Sequence, residues 1–124
     1  MRKNFILKLL DRYRLKNSTI PIIVEGKNDV ESLRRLSFSG EIITVNSGLP
    51  LVSLSERISE NYREVIILTD FDRKGVELRE HLGNYLNGSG CRMDTYLWEN
   101  LKKKLPVKTV EELPYSIERV EGEL

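Results

Sequence analysis

Apolar positions follow two rhythms along this chain. From Phe5 to Tyr13 they recur every three or four residues (Phe5, Ile6, Leu9, Leu10, Tyr13), with Lys3, Lys8, Arg12 and Arg14 among the intervening positions. That spacing predicts an amphipathic helix from about Asn4 to Leu15, with a turn over Lys16-Asn17-Ser18-Thr19. Short apolar runs then take over: Ile20-Pro21-Ile22-Ile23-Val24, Glu41-Ile42-Ile43-Thr44-Val45 and Val65-Ile66-Ile67-Leu68. The first and third runs, apolar on both faces, predict interior strands of a parallel sheet, and the second reads simply as a strand. Between the runs the helical spacing returns, as Val30, Leu33 and Leu36, then Leu51, Leu54 and Ile58, then Leu78, Leu82 and Tyr85 or Leu86. Asn28 with Glu31 three residues on reads as a capping box for the first of these helices. Pro50 suits the first turn of the second.

Asn87-Gly88-Ser89-Gly90 is the strongest turn signal in the chain. Beyond it, Cys91 to Asp94 predicts a fourth strand nearer an edge, and Leu97, Trp98, Leu101 and Leu105 a helix ended by Pro106. Val107 to Val110 reads as a last short strand, and Glu111 to Val120 as a terminal helix with Pro114 in its first turn. Strand alternating with helix across short connections predicts an α/β parallel sheet. Right-handed crossovers then bring the carboxyl ends of the strands to one edge.

The 124 residues fit one domain with a real core. No apolar run approaches the roughly 18 residues that a membrane span needs. The basic N-terminus is interrupted by Lys8 and Asp11 and lacks a small-residue cleavage site, which argues against a signal peptide. A single cysteine, Cys91, excludes an internal disulfide and a cysteine-based zinc site, and an intracellular, cytoplasmic location is expected. The one histidine, His81, has no ligating partner in the pattern. A net charge of +1 excludes a globally basic nucleic-acid coat protein, so any contact with nucleic acid would rely on a local patch or a metal ion.

Two strand ends carry the candidate chemistry. One run ends in Glu25-Gly26-Lys27, the other in Thr69-Asp70-Phe71-Asp72-Arg73-Lys74-Gly75. Ligands of open parallel sheets sit beyond the carboxyl ends of the strands, where Glu25, Asp70 and Asp72 would converge. Crowded carboxylates repel each other and call for a cation, a shared proton or basic neighbours. An all-oxygen set suits Mg²⁺, which keeps several waters and takes one or two carboxylates together with substrate phosphates. Lys27, Arg73 and Lys74 stand beside them in sequence, available for phosphate or nucleic-acid contacts, while Gly26 and Gly75 permit close approach. Plainer roles exist for several of these residues. Asp72 is well placed to cap a helix, Asp29 to sit in a first turn, and Lys102-Lys103-Lys104 to form a solvated helix face.

The segments Ile23-Val24-Glu25-Gly26-Lys27-Asn28-Asp29-Val30 and Ile66-Ile67-Leu68-Thr69-Asp70-Phe71-Asp72-Arg73-Lys74-Gly75 resemble the Toprim domain of topoisomerases, bacterial-type primases, old-family nucleases and RecR-type repair proteins. The Glu-Gly-Lys-x-Asp-Val form looks most like the ribonuclease that matures 5S ribosomal RNA and the small stand-alone Toprim proteins. The resemblance covers about Ile20 to Tyr85. It implies a compact Rossmann-like α/β fold, a central four-stranded, mainly parallel sheet flanked by helices with the first strand beside the third. It also implies one Toprim domain over residues 1–124, with its motif-bearing core at about 20–95, a helix before it and a helical extension after it.

By the same resemblance Glu25 matches a general acid or base or a further metal ligand, and Asp70 and Asp72 match the metal-binding Asp-x-Asp. Glu25 and Lys27 are the candidate catalytic residues; Glu25, Asp70 and Asp72 are the candidate ligands for Mg²⁺, with Mn²⁺ as a substitute. The family usually has proline between the two aspartates, where this chain has Phe71. The expected function is a Mg²⁺-dependent phosphodiesterase acting on RNA or DNA. The alternatives are a non-catalytic module that binds nucleic acid or docks a protein partner, and a phosphatase using Asp-x-Asp. Nucleic acid is the expected partner, with a protein partner or a homodimer left open and no membrane.

Overall fold

Four strands and six α-helices alternate along the chain in a computed structural model that describes residues 2–122, with side chains described from Phe5 onward. The order is α1 (Arg2–Asn17), β1 (Ile22–Val24), α2 (Lys27–Arg35), β2 (Ile42–Thr44), α3 (Leu51–Asn61), β3 (Glu64–Ile67), α4 (Arg73–Gly88), β4 (Arg92–Asp94), α5 (Tyr96–Lys104) and α6 (Leu113–Gly122). A 3₁₀ turn, Val110–Glu112, leads into α6. Lys3, expected on the polar face of α1, lies outside the described side chains.

The sheet runs β2-β1-β3-β4 and every pairing is parallel. Ile22 is level with Ile42 on one side and Ile66 on the other, so β1 is interior on both edges, as its unbroken apolar run predicts. The chain goes out from β1 to β2 and then returns to the far side of β1 for β3. That reversal makes the β1/β3 boundary the topological switch point of the sheet, where open α/β sheets place ligands.

Alternation along the strands divides the core in two. Ile22, Val24, Ile66 and Leu68 face a layer built from α1, α2, α5 and α6, including Leu10, Tyr13, Leu33, Phe38, Trp98 and Ile117. Ile23, Val65 and Ile67 face α3 and α4, packing on Leu54, Ile58, Leu82 and Leu86. Leu86 is buried in α4 and Tyr85 is exposed, which resolves the choice between them.

Buried polar groups tie α1 to the sheet. The Asn17 side chain donates to the carbonyls of Ile20 (2.9 Å) and Glu41 (3.1 Å) and accepts from the Gly40 amide (2.9 Å). A Cβ at Gly40 would stand 1.8 Å from the Asn17 carbonyl oxygen, so only glycine allows this approach. Earlier in α1, Tyr13 donates to Asp94 at 2.9 Å, and Lys16 donates to Glu64 (2.8 Å) and Asp94 (2.5 Å).

Two local expectations are corrected. The N-cap of α2 lies two residues earlier than Asn28, at Gly26, and Asp29, not Glu31, is the first-turn acid that reaches back to it: the Gly26 amide donates to Asp29 at 3.0 Å. Val107 to Val110 is not a strand. It crosses the end of the sheet as an irregular strap, and its backbone bonds go to the turn after β3 instead of to a ladder.

Candidate metal centre

The carboxyl ends of β1 and β3 lie side by side, at the switch point where open sheets leave a crevice, and the two sequence motifs meet there. Glu25 follows directly on β1, and Asp70 stands three residues past β3. The two strand ends are joined through a side chain: Glu25 Oε2 accepts the Asp70 amide at 3.0 Å. Asp72 is the N-cap of α4, its Oδ1 accepting the Gly75 amide at 2.8 Å. The capping role and membership of the acidic group thus fall on one residue.

The turn from Thr69 to Gly75 is locked from several sides. The buried Thr69 hydroxyl donates to the Gly75 carbonyl (2.9 Å), and the Trp98 indole donates to the Thr69 carbonyl (2.8 Å). A Cβ on Gly75 would come within 1.9 Å of the Asp70 carbonyl oxygen, so α4 can begin this close to the acidic turn only with glycine here. Phe71 is buried, its ring centroid 5.7 Å from that of Trp98. Its amide donates to the Lys108 carbonyl at 2.8 Å. One residue past Thr109, the Val110 amide donates to Asp70 Oδ1, also at 2.8 Å. The 107–110 strap therefore holds both the backbone and a carboxylate of the Asp-x-Asp turn. The strap is itself fixed by Glu112, whose Oε1 accepts from the amides of Lys108 and Thr109 (both 2.9 Å) and from the Thr109 hydroxyl (3.1 Å).

Charge in the crevice is unbalanced. Burial pushes the Asp70 carboxyl up to about 6 against the pull of the Val110 amide, and the neighbouring charges of Glu25, Asp29 and Asp72 push the same way as burial. Asp29, only 6 % exposed, is also raised, by burial against hydrogen bonds from the backbone of Gly26 and Glu25. It is a fourth acid at the site, and it also accepts the N-cap amide of α2. Among the described residues, no lysine, arginine or histidine stands within ion-pair distance of these four carboxylates. Lys27, Arg73 and Lys74 are exposed at the starts of α2 and α4, and Arg73 pairs outward with Glu77 at 3.4 Å.

These features fit a hard divalent cation in one particular way. Among the described residues no three Asp, Glu, His or Cys side chains are gathered closely enough to hold a metal ion between them. Backbone amides hold one oxygen each of Glu25, Asp70 and Asp72, and among the described residues the second oxygen of each takes no hydrogen bond. An open set of acceptors with uncompensated charge suits Mg²⁺, which keeps waters and shares its coordination with substrate phosphate. A cation that demands a full set of protein ligands would find the site incomplete.

The fold and this crevice define the class. The Toprim domain family model matches residues 20–103, and the chain belongs to that family. Toprim membership implies a metal-binding module associated with nucleic acid, and Toprim domains typically bind Mg²⁺. Within the family, the chain is 56% identical over 117 residues to a UPF0292 protein of Thermoplasma volcanium, covering 94% of this chain and 98% of that protein. It is 48% identical over 94 residues to a UPF0292 protein of Pyrococcus abyssi, covering 74% of this chain and 70% of the relative. A solved structure from Aquifex aeolicus superposes with a TM-score of 0.75 at 25% identity, covering 85% of this chain and 94% of that one. No helix among the described residues is long and apolar enough to cross a membrane.

The strap contributes through the backbone of Lys108 and Val110, so no side-chain pattern points to it directly. The signals available were Thr109-x-x-Glu112, a capping-box spacing, and Phe71 in the position that proline usually fills.

Proposed function

We propose that the chain, as one Toprim domain, is a Mg²⁺-dependent phosphodiesterase acting on RNA or DNA in the cytoplasm. The observation that carries this reading is the uncompensated acidic crevice at the β1/β3 switch point, with Asp70 buried among Glu25, Asp29 and Asp72. Asp70 and Asp72 would hold the ion, with Glu25 as a further ligand or as the proton-transfer group; Mn²⁺ would substitute. When bound, such an ion offsets charge on the phosphate and makes a coordinated water more acidic.

The chain's own residues do the rest. Amides of Asp70, Gly75 and Val110 fix one oxygen of Glu25, Asp72 and Asp70 respectively, so the acceptors are set before substrate arrives. Preorganisation of this kind avoids reorganisation during the reaction. Glu25, through its other oxygen, would take a proton from the attacking water or return one to the leaving oxygen. Lys27, Arg73 and Lys74, exposed around the crevice, would neutralise the flanking phosphates, with Lys27 nearest to Glu25 in sequence. The likeness in the Glu-Gly-Lys-x-Asp-Val segment to the ribonuclease that matures 5S ribosomal RNA favours RNA as the first substrate to try.

A second reading has one observation in its favour. Because no three such side chains are gathered closely enough among the described residues to hold a metal ion between them, the domain would serve as a non-catalytic module that binds nucleic acid or a protein partner, itself included. The phosphatase alternative has no support from the family assignment. Labelled RNA and DNA incubated with Mg²⁺ separate the first two readings. Cleavage that Glu25→Gln abolishes supports the phosphodiesterase; binding without cleavage supports the module.

A further inference from the structure

A cavity of about 530 Å³ lies against the start of the strap, at Val107. Ile6, Leu105, Val107 and Val120 give it an apolar floor. Its volume is within the range of small-ligand sites, which are typically apolar with a few polar groups at the edge. Three features of its rim narrow the choice of occupant. Tyr115 lines the cavity and is 66% exposed, and such an aromatic is available as a stacking surface. The Arg119 guanidinium lies 5.8 Å from that ring's centroid and donates to the Tyr115 hydroxyl at 3.3 Å, which holds the ring in place. Lys104, at the end of α5, also lines the cavity and follows Lys102 and Lys103, all three exposed.

The strap links the cavity to the acidic turn. Val107 is in the floor, Lys108 receives the Phe71 amide, and the Val110 amide reaches Asp70. Glu112 lines the cavity, and its carboxylate accepts three hydrogen bonds from Lys108 and Thr109, so the one acid in the wall is engaged by the strap. Val107 and Val110 are three residues apart, at most about 10 Å of extended chain. A ligand spanning cavity and crevice would need a flat apolar part, a nearby anionic backbone and a reach of one or two units.

We propose that this cavity is a nucleobase subsite and that the chain therefore takes single-stranded nucleic acid. An unpaired base would lie against Tyr115 over the apolar floor, with its phosphate beside Lys104. A base inside a duplex is stacked on both faces and cannot enter such a pocket without being extruded. Aromatic stacking beside a basic track is the general means of holding single strands. The assignment of the neighbouring phosphodiester to the crevice rests on the metal-site reading above; the base subsite itself does not require metal.

The test is fluorescence anisotropy in EDTA with labelled oligo-rU, oligo-dT and a duplex of equal length, using wild type, Tyr115→Ala, Tyr115→Phe and Asp70→Asn/Asp72→Asn. The expected result is tighter binding of at least one single strand than of duplex. Tyr115→Ala, at an exposed position, weakens that binding by about tenfold, while Tyr115→Phe and the aspartate variant retain it. Wild-type binding of single strand and duplex alike, no binding of either, or undiminished binding by Tyr115→Ala overturns the proposal. Occupation by a protein segment or a second copy would appear as the no-binding outcome. Because no metal is present, failure here is separate from failure of the metal centre, which Mn²⁺ titration reads independently.

Discussion

The Phe71 amide donates to the Lys108 carbonyl at 2.8 Å, a bond that proline at position 71 could not make. Phe71 also fills a space against Trp98. The departure from the usual Asp-Pro-Asp pattern is therefore matched by a strap from the C-terminal third, which replaces a rigid ring with a hydrogen bond and a buried aromatic.

Phe71→Pro should restore the family's usual residue and yet destabilise the protein. Loss of the buried ring costs about 3–5 kcal/mol, and loss of the amide adds about 1 kcal/mol. Phe71→Ala keeps the amide and should lose less. Urea unfolding of both variants checks the order, and a more stable proline variant would show that the strap bond contributes nothing.

Glu112 should act on Asp70 without touching it. Glu112→Ala removes the acceptor for two amides and a hydroxyl, and a lost cap of this kind costs about 1 kcal/mol. Because the same strap presents the Val110 amide to Asp70, Mn²⁺ affinity should also fall, by about threefold to tenfold. Glu112→Gln, which keeps an acceptor oxygen, should retain most of it. Electron paramagnetic resonance of free Mn²⁺ reads this directly.

The meeting of the two acidic strand ends was legible because it is written in side chains. Uninterrupted apolar runs marked β1 and β3 as interior, and an acid at the end of each marked the shared edge. The start of α2 was misplaced because glycine offers no capping side chain to read, while Asn28 is a common cap residue. Asp29, ambiguous in sequence, proved both the acceptor of the N-cap amide and a member of the acidic group. The β-branched residues of Val107 to Val110 suggested a strand, but their backbone groups serve Phe71 and Asp70, some 40 residues away. Contacts made by the backbone over such distances leave little trace in residue type.

Gly75→Ala should be among the most damaging small changes. Its Cβ would stand 1.9 Å from the Asp70 carbonyl oxygen, against backbone that cannot swing aside. A loss on the order of 2 kcal/mol or more is expected, together with a displaced Asp70 turn, measurable by thermal unfolding and amide chemical shifts.

Away from the site, acid should loosen the attachment of α1. Burial would raise the Asp94 carboxyl, but the Lys16 ammonium, the Tyr96 amide and the Tyr13 hydroxyl outweigh it and leave it lowered. Glu64 is likewise lowered, by Lys16 and Arg92 against burial. Carboxyls lowered on folding add stability above their unfolded values and lose it as pH falls through the folded ones. Stability from this network should thus be complete above about pH 5 and decline below about pH 4. Lys16→Met should flatten that decline; an unchanged acid limb would contradict the assignment.

Asp70→Asn should separate stability from metal binding. Asparagine still accepts the Val110 amide but removes one charge from a crowd of four, so the metal-free variant should be more stable at pH 8 by about 1 kcal/mol. The cost should appear only in metal affinity, checked by paired unfolding curves with EDTA and with Mg²⁺.

The most direct measurement is calorimetric titration of Mg²⁺ and Mn²⁺ into wild type and Asp70→Asn/Asp72→Asn at pH 8. The acidic crevice predicts saturable binding by wild type that the double variant loses, with Glu25→Gln weakened. Equal binding by wild type and double variant, or no binding by wild type, would contradict the metal centre.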